Sequence, residues 1–334
     1  MCKRPTVLCI LIAALFASSA VQAATTCTAS MTDVTFGPSD PFSGWSDVTA
    51  TITYNCSTFG LSLLAYARVK LCFSIGDGNQ GTGTILPRRM TNASSALAFN
   101  LYRDPSFTQI WPDSPNTPNK VEVELEYTVP LLGGSGGGSI TVHSRIPPGQ
   151  VTVIPGVFSN TFSTADALLY YQANEALLLW PSWPASCTSG GLISGSTSFD
   201  FEARAVVEAT CNPAFDITDL DFGLQGLLNT PIDSATTVSP QCTNTIPYQI
   251  GLDNGLHAAG NSRRMHDGAG HYVSYELYRD SARTLRWGDT LNTDILQGVG
   301  TGQPQPQTIY GRVPPQVTPP QGTYSDTVTV TIYY

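Results

Sequence analysis

The chain has 334 residues, of which 41% are apolar and only 12% charged, and its net charge is −9 at neutral pH. That length supports two cores of ordinary domain size. The acid excess, with Lys3, Lys70 and Lys120 as the only lysines, excludes the basic patch that a nucleic-acid partner requires.

At the start, Lys3 and Arg4 precede the apolar run Val7 to Ala17, and Val21-Gln22-Ala23 supplies the small residues of a cleavage site. Residues 1–23 therefore read as a secretory signal peptide, with Ala24 first in the mature chain. The apolar run is shorter than the roughly 20 residues needed to span a membrane. Cleavage would leave 14 basic against 25 acidic residues, a net charge of −11. It would also leave six cysteines, Cys27, Cys56, Cys72, Cys187, Cys211 and Cys242. An even number in an exported chain points to disulfides.

Strand-like alternation follows in segments 47–54, 120–129, 199–206 and 325–333, rich in Thr, Val and Tyr, as expected of half-buried strands. The 30 glycines and 24 prolines supply turns. Ser163 to Leu179 offers the best helical pattern in a chain otherwise without one. The expected fold class is all-β, two antiparallel sandwiches in tandem, with domains at 24–205 and 206–334.

Tandem duplication is written directly into the chain. Arg88-Arg89-Met90, Leu101-Tyr102-Arg103-Asp104, Trp111 and Pro147-Pro148 return in order as Arg263-Arg264-Met265, Leu277-Tyr278-Arg279-Asp280, Trp287 and Pro314-Pro315. A period this long is a domain duplication and not a solenoid. Cys27 and Cys56 lie 29 residues apart in the first copy, and Cys211 and Cys242 lie 31 apart in the second. One bridge within each copy follows, leaving Cys72 for Cys187; free buried thiols are the alternative.

Comparing the copies exposes three additions to the first. They contain Phe59-Gly-Leu61-Ser-Leu63-Leu64, then Leu131-Leu132 with a glycine-rich stretch, then Leu177-Leu178-Leu179-Trp180-Pro-Ser-Trp183. Apolar residues in loop insertions either enlarge a core or form a contact surface.

Chemistry finds little support. His257, His266 and His271 lie near Asp267 at metal-like spacing, but the first copy has Thr91 opposite His266, so a solvated glycine-rich loop is the better reading and no metal or cofactor is expected. Arg103-Asp104 and Arg279-Asp280 could imitate hydrolytic partners; their duplication favours an ion pair or a turn. No nucleophile elbow, zinc-protease motif or phosphate loop occurs, and no enzyme is expected.

The cysteine spacing, the Arg-Arg-Met and Leu-Tyr-Arg-Asp constellation, the Pro-Pro pair and the terminal Tyr324-Ser-Asp-Thr-Val-Thr-Val-Thr-Ile-Tyr-Tyr334 resemble the spore coat protein U domain family, the pilins of archaic (Csu-type) chaperone-usher pili. Cys211 to Tyr334 matches throughout, and the first copy matches apart from its insertions. The resemblance implies immunoglobulin-like pilin domains that lack one strand, held first by a periplasmic chaperone and then completed at an outer-membrane usher by a donor strand from the adjacent pilin. Only Ala24, Thr25 and Thr26 precede Cys27, too few for a donor strand, so a two-domain member is expected to be a tip adhesin at the cell surface, active in attachment and biofilm formation. Alternating Phe199, Phe201, Ala203, Ala205 and Val207 occupy the place of a donor extension, and either complete the first sandwich in cis or form an ordinary strand of the second. Val328, Val330, Ile332 and Tyr334 share a face of the last strand, the expected chaperone and donor-strand contact. The expected contact with an abiotic or host surface comprises Phe59, Leu61, Leu63, Leu64, Leu131, Leu132, Leu179, Trp180 and Trp183. Two rivals stand beside it: a glycan-binding tip using Trp45, Trp111 or Trp183, and a non-polymerising coat protein.

Overall fold

The computed structural model describes residues 24–42, 44, 46–60, 64–93 and 95–334. The expected signal peptide, Leu61, Leu63 and Trp45 lie outside the described residues. Among the described residues there is no helix, and no candidate membrane span.

Among the described residues, twenty strands form two groups. The first comprises β1 (Ala24–Met31), β2 (Val34–Ser39), β3 (Ser46–Phe59), β4 (Leu64–Ile75), β5 (Arg88–Asn92), β6 (Ser95–Tyr102), β7 (Val121–Pro130), β8 (Gly134–Ile146), β9 (Gly156–Phe162), β10 (Ala167–Leu177), β11 (Ile193–Ser198) and β12 (Phe201–Val207). The second comprises β13 (Asp216–Ile217), β14 (Ile232–Ser239), β15 (Pro247–Leu252), β16 (Arg263–His266), β17 (Tyr272–Tyr278), β18 (Leu296–Val299), β19 (Gln307–Val313) and β20 (Val330–Tyr333).

The first group builds a sheet in the order β1-β3-β8-β6-β5-β9-β12-β2 and another in the order β11-β10-β4-β7. The second builds β13-β14-β19-β17-β16 and β18-β15-β20. Alternation explains the layering: β3 buries Ala50, Ile52, Tyr54 and Cys56 and exposes the residues between them, as a strand with one wet face must. Each group encloses its own buried cluster, one reaching from Cys27 to Val207 and the other from Cys211 to Val313.

The repeated motifs turn out to be the frame of each unit. Arg88 is fully buried and reaches across the layers to the carbonyls of Ile75, Gly76 and Trp111. Arg263 repeats this with Leu252, Asp253 and Trp287. A guanidinium has donors enough to satisfy several carbonyls at once, and burial is what lowers the Arg88 pKa to about 9. Asp104 caps a turn by accepting the N–H groups of Thr108 and Gln109 and the Thr108 hydroxyl. Asp280 does the same with Thr284 and Leu285. The duplicated Arg-Asp pairs thus shape turns.

Two local expectations change. Ser163 to Leu179 is not helical: its centre is β10, flanked by β4 and β11, with Ala167, Leu169 and Ala173 wholly buried. An apolar run paired on both sides reads as a buried strand, and tertiary partners override weak helical periodicity. The junction expected between Ala205 and Val206 falls inside β12, whose last residue, Val207, is still buried in the first cluster. Disulfides join Cys27 to Cys56, Cys72 to Cys187, and Cys211 to Cys242.

Candidate binding surface and assembly groove

Three insertions of the first unit meet at one end of it. β3 ends at Phe59 and β4 begins at Leu64, β7 ends at Pro130 before the turn into β8, and β10 ends at Leu177. Strand pairing sets these ends side by side: Leu64 opposes Pro130, Ala65 opposes Leu177, and Thr58 opposes Gly134. The Leu178 N–H donates to the Leu64 carbonyl at 3.0 Å. Gly133 lies so close to β3 that a Cβ there would sit 2.8 Å from the Thr58 carbonyl and 3.3 Å from the Phe59 ring. The turn therefore rests on the end of β3.

Phe59, Leu131, Leu132 and Leu179 are exposed at this end, Leu132 and Leu179 by 73% and 74%. Leu64 is just at the edge of exposure. Leu177 and Leu178 belong with them and were absent from the expected set, although the Leu-Leu-Leu run announces them. Two of these leucines sit in left-handed backbone, Leu132 with φ 85° and Leu178 with φ 63°. For a branched apolar side chain that conformation is an outlier. Leu132 is the third residue of a turn closed by the Gly133 N–H on the Pro130 carbonyl at 2.9 Å, a position that usually takes glycine or asparagine. Backbone preference therefore gives no reason for a leucine there.

The tryptophans take another place. Cys187 ties residues 178–191 across the outer face of β4, where the Arg68 guanidinium lies between Trp180 at 5.4 Å and Trp183 at 4.9 Å. Arg68 is held by Glu126 at 3.0 Å and by the Pro181 carbonyl. Trp180 keeps an exposed face, while Trp183 is half-buried. Glu122 anchors the same strap through the Cys187 N–H. Burial disfavours its charge, but Lys120, that N–H and Lys70 outweigh burial and hold its carboxyl below the ordinary range. The glycan reading loses Trp111, which is fully buried in the core.

Elsewhere the two units differ in one strand. β12 lies between β9 and β2, antiparallel to the first with Phe201 opposite Phe162 and Val207 opposite Gly156, and parallel to the second with Ala203 opposite Val34. Phe201, Ala203, Ala205 and Val207 all point into the core, and the Phe201 ring stacks on Phe162 at 4.4 Å. In the second unit the matching segments are Leu220-Asp221-Phe222 and Gly322 to Val328. Among the described residues no strand lies between them. Leu220, Asp221 and Phe222 on one side and Gly322, Thr323 and Tyr324 on the other wall a groove of about 680 Å³, floored by Met265, Val273 and Val313. Burial differs accordingly: Phe158 and Phe162 are buried, while their counterparts Tyr324, which lines the groove, and Val328, just beyond it, are only partly so.

Of the expected assembly contacts, Val328 lies four residues beyond Tyr324, the last residue lining this groove, and Val330 and Ile332 belong to β20 and pair with Leu252 and Ile250 in the other sheet. Tyr334 is exposed. Leu220 and Phe222 were missed. Aligning Thr32-Asp-Val-Thr-Phe-Gly37 with Thr218-Asp-Leu-Asp-Phe-Gly223 would have found them.

The histidines make no metal cluster among the described residues: His271 bonds Asp267 at 2.7 Å and His266 stacks on Tyr272. Cys72, Glu122 and Cys187 come together, but both sulfurs are spent in a disulfide.

The Spore Coat Protein U domain matches the chain twice, at residues 12–165 and 197–331, so the second match takes in β12. Protein U of Myxococcus xanthus is 41% identical over 105 residues, 29% of this chain and 58% of that protein, so the match spans little more than half of that relative. Among solved structures, the fold is similar to a chain of the CsuC-CsuE chaperone-tip adhesion subunit pre-assembly complex from archaic chaperone-usher Csu pili of Acinetobacter baumannii, with a TM-score of 0.50 and 17% identity over 92% of this chain and 100% of that one. The CupB6 tip adhesin of Pseudomonas aeruginosa is more distant, with a TM-score of 0.31 and 10% identity over 93% of this chain and 94% of its own. With two matches covering most of its length, the chain belongs to the Spore Coat Protein U domain family.

Proposed function

We propose that this chain is the tip subunit, the adhesin, of a chaperone-usher pilus. The first unit, of which β12 is the completing strand supplied in cis, attaches to abiotic or host surfaces through its apolar loops and so promotes biofilm formation. The second unit is an immunoglobulin-like pilin domain lacking one strand. Its groove between residues 220–222 and 322–324 is held by a periplasmic chaperone during export and filled at the usher by a strand from the next subunit. Main-chain pairing supplies affinity in such strand addition, and alternating side chains supply specificity.

One observation carries this reading: the apolar loops lie at the end of the first unit away from the second unit, and the open groove lies in the second. β8 is 13 residues long, starting at the apolar end with Gly134 and finishing at Ile146, beside the loop that meets the second unit. That is about 40 Å of strand. Six apolar side chains on three adjoining loops can adapt to a surface without a shaped pocket, each contributing about 1.5–3 kcal/mol when buried, before ordering costs.

Expression with and without a pilus chaperone tests the assembly half. Dependence on the chaperone for soluble yield supports an open second unit. A chain that is monomeric and equally stable alone is instead a closed coat component, and the reading fails.

A further inference from the structure

The junction between the two units has a twin that faces outward. On the first unit the loop after β8 presents Val151 and Thr152 to the second unit. The Asn244 side chain donates from Nδ2 to the Thr152 carbonyl at 2.7 Å. Gly302, at φ 80°, comes so close that a Cβ would stand 1.9 Å from the Val151 carbonyl. Only glycine satisfies both conditions. The linker is fastened on both sides: the Glu208 N–H donates to the Ser39 carbonyl, and the Thr243 hydroxyl lies at bonding distance from the carbonyls of Glu208 and Thr210.

The same loop recurs in the second unit. Gln150-Val151-Thr152 returns as Gln316-Val317-Thr318, and the two glutamines hold their loops identically. Gln150 bonds both backbone groups of Ala98 and the Pro147 carbonyl. Gln316 bonds both backbone groups of Ser274 and the Pro314 carbonyl. Yet Val151 is half-buried at the junction, whereas Val317 is 92% exposed.

We propose that Val317 and Thr318, at the edge of the groove that Thr318 helps to line, are a docking face for the body of the next subunit, and that the contact repeats the one within this chain. The occupant is the disulfide end of another spore coat protein U domain. It offers an amide side chain to the Thr318 carbonyl and a glycine against Val317, just after its donor strand leaves the groove. Such head-to-tail repetition is what an open-ended fibre requires. The proposal rests on the reading of the second unit as an acceptor, and adds to it a second contact that fixes the angle between successive domains.

Photo-crosslinking in assembled fibres separates the two claims. The full-length chain is made with p-benzoylphenylalanine at position 317 or at position 224, a fully exposed groove-rim residue, and irradiated on cells. Crosslinks to the adjacent subunit from both positions, with those from 317 mapping to its disulfide end, are expected. Crosslinks from 224 alone overturn the docking face and leave the groove reading intact. Crosslinks from neither overturn both.

Discussion

Replacing Leu132 by glycine separates what the fold wants from what attachment wants. The residue holds φ 85° in the third position of a turn and is 73% exposed. An L-residue in left-handed backbone costs about 1–2 kcal/mol. Glycine removes that cost and adds about 0.5–1 kcal/mol of backbone entropy. With little side-chain burial to lose, Leu132→Gly should stabilise the first unit by roughly 0.5–1 kcal/mol, a rise of about 1–4 °C in its melting temperature for a unit of this size. Attachment should move the other way. Losing one leucine contact removes up to about 1.5–3 kcal/mol, at least a tenfold loss in equilibrium binding per fibre end where the contact is fully buried. Calorimetry of the purified chaperone-bound chain and retention of fibres on a hydrophobic surface measure the two effects. A lower melting temperature would refute the strain argument, and unchanged retention would refute the role of the turn in contact.

Other perturbations follow from the same geometry. Phe201→Ala removes the ring stacked on Phe162 in a closed core, so the first unit should lose about 3–5 kcal/mol; a chemical denaturation midpoint that stays put would show that β12 does not complete this unit. Arg263→Leu strips the Leu252, Asp253 and Trp287 carbonyls and the Glu276 carboxylate of a buried partner, costing about 3–5 kcal/mol, and should melt the second unit first. Removing the Cys72–Cys187 bridge by Cys187→Ser with Cys72→Ser should open residues 178–191 to limited proteolysis, while β1 to β9 resist; uniform digestion would contradict the strap. Because the Glu122 carboxyl is held below its ordinary value of 4.5, the unfolded chain binds the extra proton first. Its contribution to stability is therefore full above that value and lost as pH falls through the folded pKa, and the protection of the Cys187 amide from exchange, relative to its intrinsic rate, should drop there, a drop that Glu122→Gln abolishes.

How far this molecule could be read from its residues depended on which force placed them. Period-two alternation is local, so the β class and most strands were legible, and the duplicated cysteines led to the bridges seen. The Arg-Arg-Met repeat was visible as a repeat, but its meaning, a buried arginine, needs carbonyls from distant strands, whereas the turn capped by Asp104 or Asp280 is local and was legible. Ser163 to Leu179 misled because its fate depends on pairing with β4, about 100 residues away. Trp180 and Trp183 were grouped with the leucines by proximity in the chain, whereas the disulfide and Arg68 fold them back along the sheet. The groove wall at Leu220 and Phe222 escaped notice because a vacancy has no residue of its own; it shows only when the filled copy is laid beside the empty one.

The central claim is that attachment resides in the apolar end of the first unit. Its most direct test is the adhesion of cells carrying fibres with Leu131, Leu132 and Leu179 all changed to serine, at fibre numbers equal to the unmodified strain, on polystyrene and on a hydrophilic surface. The account predicts that binding to polystyrene collapses to the level of fibre-free cells while fibre assembly and thermal stability hold. Full adhesion to polystyrene by normally assembled mutant fibres would contradict it.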